Sequence, residues 1–375
     1  MSKAAELAKI GEAVTNGQIG GRRNIAYNGA MNVAQRSASV TGIGASAGYF
    51  TLDRWYLEAG ATAGRLTMTQ TADGPVGFAN CMKLDCTTAD TSIAAGELLV
   101  LQQHIEGQDV QAIGKGVSGA KEVTLSFYVK ANAAFDFNAE IQDQDNGRTN
   151  GKLFATTTDW VRHEITFEAD ADDGSSPFDD DNAKSLSVNF WLHGGSTFTS
   201  GTLASGWENT TNANRAAGID SFYSNTNNNF FITGLQLEVG SVATPFEHRS
   251  FGEELHLCSR YYTRDDSGSG ANYKRFAHGQ NQSTTVAGFM FLLTTPLRAT
   301  PAIEGSGAAN HYTLFSAGQL DTCTALSLVG DSNAGTHNNS ISFQASVSSG
   351  LATGDATAFL ANNKTDTFLA FDAEL

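Results

Sequence analysis

Residues 121–130 read KEVTLSFYVK, and this stretch decides the fold class. Val123, Leu125, Phe127 and Val129 alternate with polar neighbours, so one face of an extended chain is apolar. A period of two is typical of a β-strand that buries one face against a core and leaves the other polar.

The same period recurs along the chain on both sides of this stretch. The further predicted strands are VRHEITF (161–167), KSLSVNFWLH (184–193), FITGLQLEV (231–239) and SISFQASV (340–347). Long polar segments separate them and are predicted as loops, at 143–152, 169–183 and 194–228. Half-buried strands joined by long loops predict a mainly β protein with an antiparallel β-sandwich of the jelly-roll type.

A second, smaller β domain is predicted at the C-terminal end. VAGFMFLL (286–293) is apolar at successive positions, as in a central strand, and DTFLAFDAEL (366–375) closes the chain. We therefore divide the chain into a jelly-roll domain at 24–249 and a β domain at 265–375.

The first 23 residues predict a short helix and a linker. Leu7, Ile10 and Val14 recur at spacings of three and four, which makes one apolar stripe on a helix. So short a helix is not stable alone. We expect residues 1–23 to attach the protein to a larger assembly through this stripe.

The stretch TPFEHRSFGEELHLCSRYYTR (244–264) concentrates acidic, basic, His and Cys side chains. Ser250 and Glu253 have the spacing of a capping box, which predicts a helix that starts at Ser250 rather than a catalytic cluster. The residues expected to face the core of this helix are Phe251, Leu255, Cys258 and Tyr262. Residues 250–264 are thus predicted to be a capped helix that links the two β domains.

Composition excludes several classes of function. The chain has 375 residues and a net charge of −16, which disfavours nucleic acid and anionic membranes as partners. No apolar stretch is long enough for a membrane span, so no membrane insertion is expected. Four cysteines suit a reducing compartment during folding, with a Cys81–Cys86 disulfide as the alternative.

Two strings match enzyme motifs in the wrong context. GKGVSG (114–119) spells GxGxxG, but a period-two strand follows it where a dinucleotide site needs a helix. GASAG (44–48) spells GxSxG without the strand–turn–helix of a nucleophile elbow. No histidine pair has zinc-site spacing. No catalytic residue and no cofactor are therefore predicted.

Loop aromatic residues supply the candidate ligand site. Trp207 and Tyr223 lie in a polar loop, where flat rings can stack on sugar faces and Asn209 can bond to hydroxyls. The alternative interpretation is that Trp207 pins its own loop to the sandwich. We predict a glycan site at Trp207, Tyr223 and Asn209.

The acidic run DADDGSSPFDDD (170–181) is a candidate calcium loop. Asp170, Asp172 and Asp173 would supply carboxylate oxygens to a structural calcium ion. The alternative is a solvated acidic loop, because the run lacks the ordered EF-hand pattern.

Three segments together carry a resemblance to a known family. They are NIAYNGAMNVAQRS (24–37) with YFTLDRWYLEAG (49–60), ITGLQLEVGSVATPFEHRSFGEELHLCSRYYTR (232–264), and LRATPAIEG (297–305) with FLAFDAEL (368–375). In this order they resemble bacteriophage virion proteins of the tail-fibre type. That family carries a jelly roll similar to carbohydrate-binding modules and a second small β domain.

The resemblance implies a non-enzymatic structural protein of the virion, assembled in the host bacterial cytoplasm. It implies a homotrimer attached to other virion proteins through its N-terminus, in a tail fibre, head fibre or similar appendage that adheres to host surface polysaccharide. Two alternatives stay open. One is a capsid decoration or cement protein with no receptor role. The other is a polysaccharide depolymerase with a carboxylate pair drawn from Glu140, Asp143 and Asp145.

Overall fold

The computed structural model describes most of the chain as β-structure. It covers Lys3 and residues 22–171, 176–268, 273–329, 339–365 and 367–375. The predicted attachment stripe, Leu7, Ile10 and Val14, lies outside the described residues.

The chain divides into two compact units. The first comprises Met1–Glu254 together with Leu375, and the second comprises Leu255–Glu374. We call them the sandwich unit and the barrel unit. The division falls inside the helix Phe251–Cys258.

Two antiparallel sheets form the sandwich unit. The six-stranded sheet runs, in spatial order, β1 (Ser39–Ile43), β4 (Arg65–Thr71), β5 (Cys81–Thr88), β13 (Asn229–Val239), β7 (Val123–Ala131) and β10 (Val161–Phe167). The seven-stranded sheet runs β12 (Glu208–Asn209), β9 (Arg148–Ala155), β8 (Asp136–Asp143), β11 (Lys184–Gly194), β6 (Leu98–Glu106), β3 (Tyr56–Gly60) and β2 (Gly48–Tyr49). These sheets confirm the predicted mainly β fold class and its antiparallel sandwich.

The core of the sandwich lies between the two sheets, where the period-two side chains meet. Val123, Leu125, Phe127 and Val129 are all buried there, as their alternation predicts. Phe127 contacts Phe190 of the opposite sheet with ring centroids 5.0 Å apart. Packing of this kind makes burial of apolar area the main stabilising term.

The barrel unit contains a closed barrel and a small sheet. The barrel runs β15 (Arg275–Asn281), β16 (Val286–Leu292), β20 (Ser340–Val347), β19 (Gln319–Leu328), β18 (Tyr312–Ser316) and β21 (Ala356–Ala361), which pairs back to β15. The small sheet runs β14 (Tyr262–Asp266), β22 (Phe368–Asp372) and β17 (Ala302–Gly305). On β16, Met290 and Leu292 are exposed. The prediction that both faces of this strand are buried is therefore wrong, because its outer face carries apolar side chains that solvent reaches.

Helices are short and few among the described residues. They are the α-helices Gly107–Val110, Ser196–Thr199 and Phe251–Cys258, and the 3-10 turns Gln111–Ile113, Asn212–Asn214, Phe222–Ser224 and Ala309–His311.

The capping box predicted at Ser250 is confirmed. Glu253 Oε2 accepts the backbone N–H of Ser250 at 2.8 Å, and Ser250 Oγ accepts the N–H of Glu253 at 3.3 Å. The helix ends at Cys258, and Tyr262 belongs to a strand. Phe251 is 60% exposed, so its predicted place in the core is wrong: the first turn of the helix faces solvent.

All four cysteines are buried and none forms a disulfide, so the alternative of a Cys81–Cys86 disulfide is wrong. Both residues lie on β5, and five residues of extended chain separate their Cα atoms by roughly 16 Å, beyond the reach of a disulfide. Among the described residues, no helix has the length and apolar character needed to cross a membrane.

Candidate functional site

A line of polar side chains crosses the outer face of the seven-stranded sheet. Strand register places Glu140 beside Asn189, Asn189 beside Gln102, Gln102 beside Tyr56, and Tyr56 beside Tyr49. We call these five residues the polar row. They come from five neighbouring strands, and residues level with one another on paired strands point to the same side.

Strand alternation explains why the polar row faces outward. The neighbours of these residues along the chain, such as Ile141, Val188, Leu101 and Leu57, are buried in the core between the sheets. Successive side chains of a strand point to opposite faces, so a strand that buries these neighbours must place the residues of the polar row on the outer face. The row is therefore a direct result of the pattern that builds the core.

One end of the polar row is covered by the segment 195–220. Arg215 donates to Glu140 through Nε at 3.0 Å and Nη2 at 2.6 Å, and to Gln142 through Nη2 at 2.8 Å. Its guanidinium lies 4.8 Å from the Trp191 ring centroid. Asn189 Nδ2 also donates to Glu140, at 2.8 Å. The carboxylate of Glu140 is thus fully engaged in a buried ion pair.

The other end of the polar row is half-open and aromatic. Tyr49 and Tyr56 are half-buried and pack edge to face, with ring centroids 5.1 Å apart. Gln102 Nε2 donates to Glu58 Oε2 at 3.1 Å, and Gln102 Oε1 lies 3.1 Å from His104 Nε2. Two rings, an amide, a carboxylate and an imidazole therefore share one small surface.

Burial sets the charge of this open end. It lowers the pKa of His104 to about 3, so the imidazole is neutral at neutral pH. Burial, with the carboxylate of Glu58 as the second cause, raises the pKa of Tyr56, so its hydroxyl keeps its proton. Both groups can donate and accept hydrogen bonds without carrying charge.

An unmet hydrogen-bond acceptor lies in the middle of the row. Asn189 Oδ1 is buried and has no hydrogen-bond partner among the described residues. Buried amide oxygens are nearly always paired, so this fully buried atom is an exception within the row.

The residues predicted to bind glycan do not come together. Tyr223 is fully buried, its ring 5.3 Å from that of His193, and it cannot stack on a ligand. Trp207 is half-buried, packs on the core and donates Nε1–H to the carbonyl of Glu168 at 2.8 Å, which supports the alternative that it pins its loop. Asn209 is exposed on the edge strand β12.

Of the three predicted calcium ligands, Asp170 is held by cations instead. Arg148 donates to its carboxylate at 2.8 and 3.0 Å, and Lys115 Nζ lies 3.6 Å away. Lys115 also pairs with Asp143 at 2.6 Å, and these side chains are almost wholly buried. Cations this close occupy the oxygens that a calcium ion would need.

The other two predicted ligands, Asp172 and Asp173, lie outside the described residues. Within the described part of the chain, no group of three or more His, Cys, Asp or Glu side chains is placed to hold a metal ion. Bound calcium therefore stays a prediction without support from Asp170.

The carboxylates considered for a depolymerase do not flank one groove. Glu140 points to the outer face of β8, whereas Asp143 pairs level with Leu186 on the core side, where Lys115 binds it. Asp145 lies in the turn after β8. A glycosidase needs two carboxylates on the same cleft, and this set does not supply them.

Comparisons with known proteins were weak. No family model and no curated protein matches the chain. A structure of a family 4 carbohydrate-binding module is similar at 13% identity and a TM-score of 0.29, over 50% of this chain and 87% of that one. A family 11 module of a Clostridium thermocellum cellulase is similar at 14% identity and a TM-score of 0.28, over 55% of this chain and 100% of that one.

A third structure is the tandem of two family 22 modules of Xyn10C from Paenibacillus barcinonensis. It has 12% identity and a TM-score of 0.27, and the match covers 91% of this chain and 98% of that one. At scores this low the likeness carries no argument about function. The sandwich assignment rests on the sheets themselves.

The polar row was not predicted from the sequence. Part of the signal was present, since Asn189 is the polar member of an alternating segment. Only strand register shows that residues between 49 and 189 meet on one face.

Proposed function

We propose that this protein binds carbohydrate through the polar row on the outer face of its seven-stranded sheet. The observation that carries the proposal is the level alignment of two tyrosines, two amides and a carboxylate across five strands. Tyrosine rings stack on the C–H faces of sugars, while amides offer paired donors and acceptors to vicinal hydroxyls.

The charge of the open end supports an uncharged or weakly charged glycan. His104 is neutral and the carboxylate of Glu140 is paired with Arg215, so neither of these two groups adds an unpaired charge to the row. The net charge of −16 repels polyanions as well. Neutral hydroxyl groups suit the row better than acidic ligands.

The setting of this activity is the second part of the proposal. The resemblance to tail-fibre-type proteins supports a bacteriophage virion appendage, trimeric and attached through residues 1–23, that adheres to host surface glycans. The polar row would then be the surface that meets the glycan. A capsid decoration without receptor role is the alternative, and it predicts no glycan binding at all.

The test is a glycan array probed with the full chain and with the variant Tyr56→Ala. Loss of one stacking ring should weaken binding of the recognised glycans roughly tenfold. Tyr273→Ala, at a tyrosine that is 43% exposed in the barrel unit, is the matched control and should bind as the wild type does.

Unfolding midpoints followed by tryptophan fluorescence would show that Tyr56→Ala remains folded. If the wild-type chain binds no glycan, or if Tyr56→Ala binds every glycan as tightly as the wild type, the polar row is not a carbohydrate site.

A further inference from the structure

A groove of about 380 Å³ lies on the outer surface of the barrel, across β15, β16 and β20. Its lining includes His278, Gly279, Gln280, Gln282, Gly288 and Met290. We call this surface the amide groove. It belongs to the barrel unit and shares no residue with the polar row.

Glycines form the floor of the amide groove. A methyl group added at Gly288 would lie 2.3 Å from Gln282 Nε2, and one added at Gly279 would lie 1.9 Å from the carbonyl oxygen of Gly288. Each distance is shorter than a van der Waals contact. Gly279 therefore needs glycine, because the close atom is backbone, whereas at Gly288 the flexible side chain of Gln282 occupies the space that the missing side chain leaves.

Two glutamines, Gln280 and Gln282, line the groove, and Gln344 lies beside them. Gln344 Nε2 donates to Gln282 Oε1 at 2.6 Å, and Gln280 Nε2 donates to the carbonyl of Gly354 at 3.0 Å. In the part of the chain that the structure describes, Gln282 Nε2, Gln280 Oε1 and Gln344 Oε1 have no protein partner. The existing hydrogen bonds thus hold the glutamine amides in place, and the remaining amide donors and acceptors can bond to a ligand.

Apolar surface completes the groove. Met290 is 55% exposed, and the edge of Phe289 lies in the lining. Met290 and Phe289 thus form an apolar wall that can contact the carbon atoms of a ligand. The glutamine amides form a second wall that can hydrogen-bond to its oxygen atoms. Sites for small polar molecules combine these two features.

Two classes of ligand do not fit the groove. Among the described residues, no Lys, Arg, Asp or Glu lines the groove and His278 is its one titratable side chain, so no permanently charged group is present there to pair with a phosphate or a carboxylate. The strands β15, β16 and β20 each pair on both sides within the closed barrel, so an extended peptide cannot add to them as a further strand. An uncharged molecule rich in hydroxyl groups satisfies the remaining donors and acceptors.

We propose that the amide groove is a second saccharide-binding site, for a neutral sugar, and that it works independently of the polar row. Gln280, Gln282 and Gln344 would bond to hydroxyls, and Met290 would contact the C–H face of the ring. The chain would then carry one carbohydrate site in each unit.

Saturation-transfer difference NMR on the full chain carrying Tyr56→Ala tests the groove while binding at the polar row is weakened. The probes are neutral trisaccharides of glucose, galactose, mannose and xylose, together with an acidic uronic-acid trisaccharide. At least one neutral trisaccharide should bind, and adding Gln282→Ala with Gln344→Ala should weaken it roughly tenfold, since two amides are lost. Gln319→Ala, at an exposed glutamine on β19, is the matched control and should change nothing.

Thiol labelling of the buried Cys323 would verify that the double glutamine variant keeps its barrel closed. The groove is not a saccharide site if no neutral trisaccharide binds the Tyr56→Ala chain, if the double variant binds as Gln319→Ala does, or if only the acidic trisaccharide binds. These outcomes are separate from the test of the polar row, because that row is already impaired in every chain compared.

Discussion

The two units hold their interiors together by different means. The sandwich unit buries charged side chains in pairs, including Lys115 with Asp143, Arg148 with Asp170, and Arg215 with Glu140. In the barrel unit, the buried polar side chains among the described residues are all uncharged, and stacked aromatic rings fill the centre. The stability of the sandwich interior therefore depends on the ionisation of buried pairs, whereas that of the barrel interior depends on the packing of aromatic rings.

This contrast can be measured because the two units carry separate reporters. All four tryptophans, at 55, 160, 191 and 207, lie in the sandwich unit, so intrinsic tryptophan fluorescence follows that unit. The buried thiol of Cys323 lies in the barrel unit and reports on it through its rate of labelling.

The largest effect is expected in the aromatic centre of the barrel. Phe359 is fully buried and stacks on Tyr312 with ring centroids 4.9 Å apart, and it also meets Phe343 at 5.3 Å. Phe359→Ala should cost about 3–5 kcal/mol of unfolding free energy, because it opens a cavity among rigid rings. Faster labelling of Cys323 would report the loss.

Phe315→Ala is the matched control, since Phe315 is 37% exposed on the adjacent strand β18. Equal labelling rates in the two variants would show that the aromatic centre does not determine the stability of the barrel.

The corresponding change in the sandwich removes a buried cation. Lys115→Met removes the cation that pairs with Asp143 and leaves Asp170 paired with Arg148 alone, and it should cost about 3 kcal/mol. Urea unfolding followed by tryptophan fluorescence measures it. Lys121→Met, at an exposed lysine, should leave the midpoint within experimental error. A midpoint for Lys115→Met as high as that of Lys121→Met would argue against a stabilising role for the ion pair.

The pH dependence of the sandwich is the next effect in size. Burial holds the pKa of His104 at about 3 in the folded state, against 6.5 for a free histidine. The unfolded chain therefore binds the proton first, and stability falls as the pH drops below 6.5, by about 2 kcal/mol at pH 5 for this residue.

Urea titrations at pH 7 and pH 5, read by tryptophan fluorescence, check this dependence. His104→Gln should make the sandwich lose less stability over that interval than the wild type does. His278→Gln, at an exposed histidine, is the control and should keep the wild-type slope. Identical slopes in all three chains would contradict the assignment to His104.

The smallest effect falls at the boundary between the units. Ser250→Ala removes the side-chain cap of the helix Phe251–Cys258 and should cost about 1 kcal/mol. The same hydrogen bonds from Ser250, with a weaker contribution from Arg249, lower the pKa of Glu253. Because Ser250 and Glu253 belong to the sandwich unit, the tryptophan transition is expected to move. A shift in Cys323 labelling alone would assign the helix start to the barrel unit instead.

Local features were predictable from the sequence, and long-range ones were not. The capping box needs only residues three positions apart, and the buried alternation of 123–129 follows from one strand. The segment 143–152 was predicted as a loop, yet Arg148–Ala155 forms β9. Its residues are polar, and pairing with β8 and β12 rather than its own composition determines its conformation.

The candidate site illustrates the same limit. Tyr223 looked like an exposed loop aromatic, but a tertiary contact with His193 buries it. The polar row draws on residues from 49 to 189, whose alignment depends on four separate strand pairings. No pattern within one segment contains that information.

The distance between neighbouring strands determines the length of the polar row. Neighbouring strands lie about 4.8 Å apart, so the five residues from Glu140 to Tyr49 span roughly 19 Å. Because Arg215 covers the Glu140 end, the remaining part of the row, from the buried Gln102 to the half-exposed Tyr56 and Tyr49, crosses three strands and measures roughly 10 Å. A surface of that length holds a short segment of a glycan chain. Affinity should therefore stop rising once an oligosaccharide is long enough to fill it, however long the polymer from which it comes.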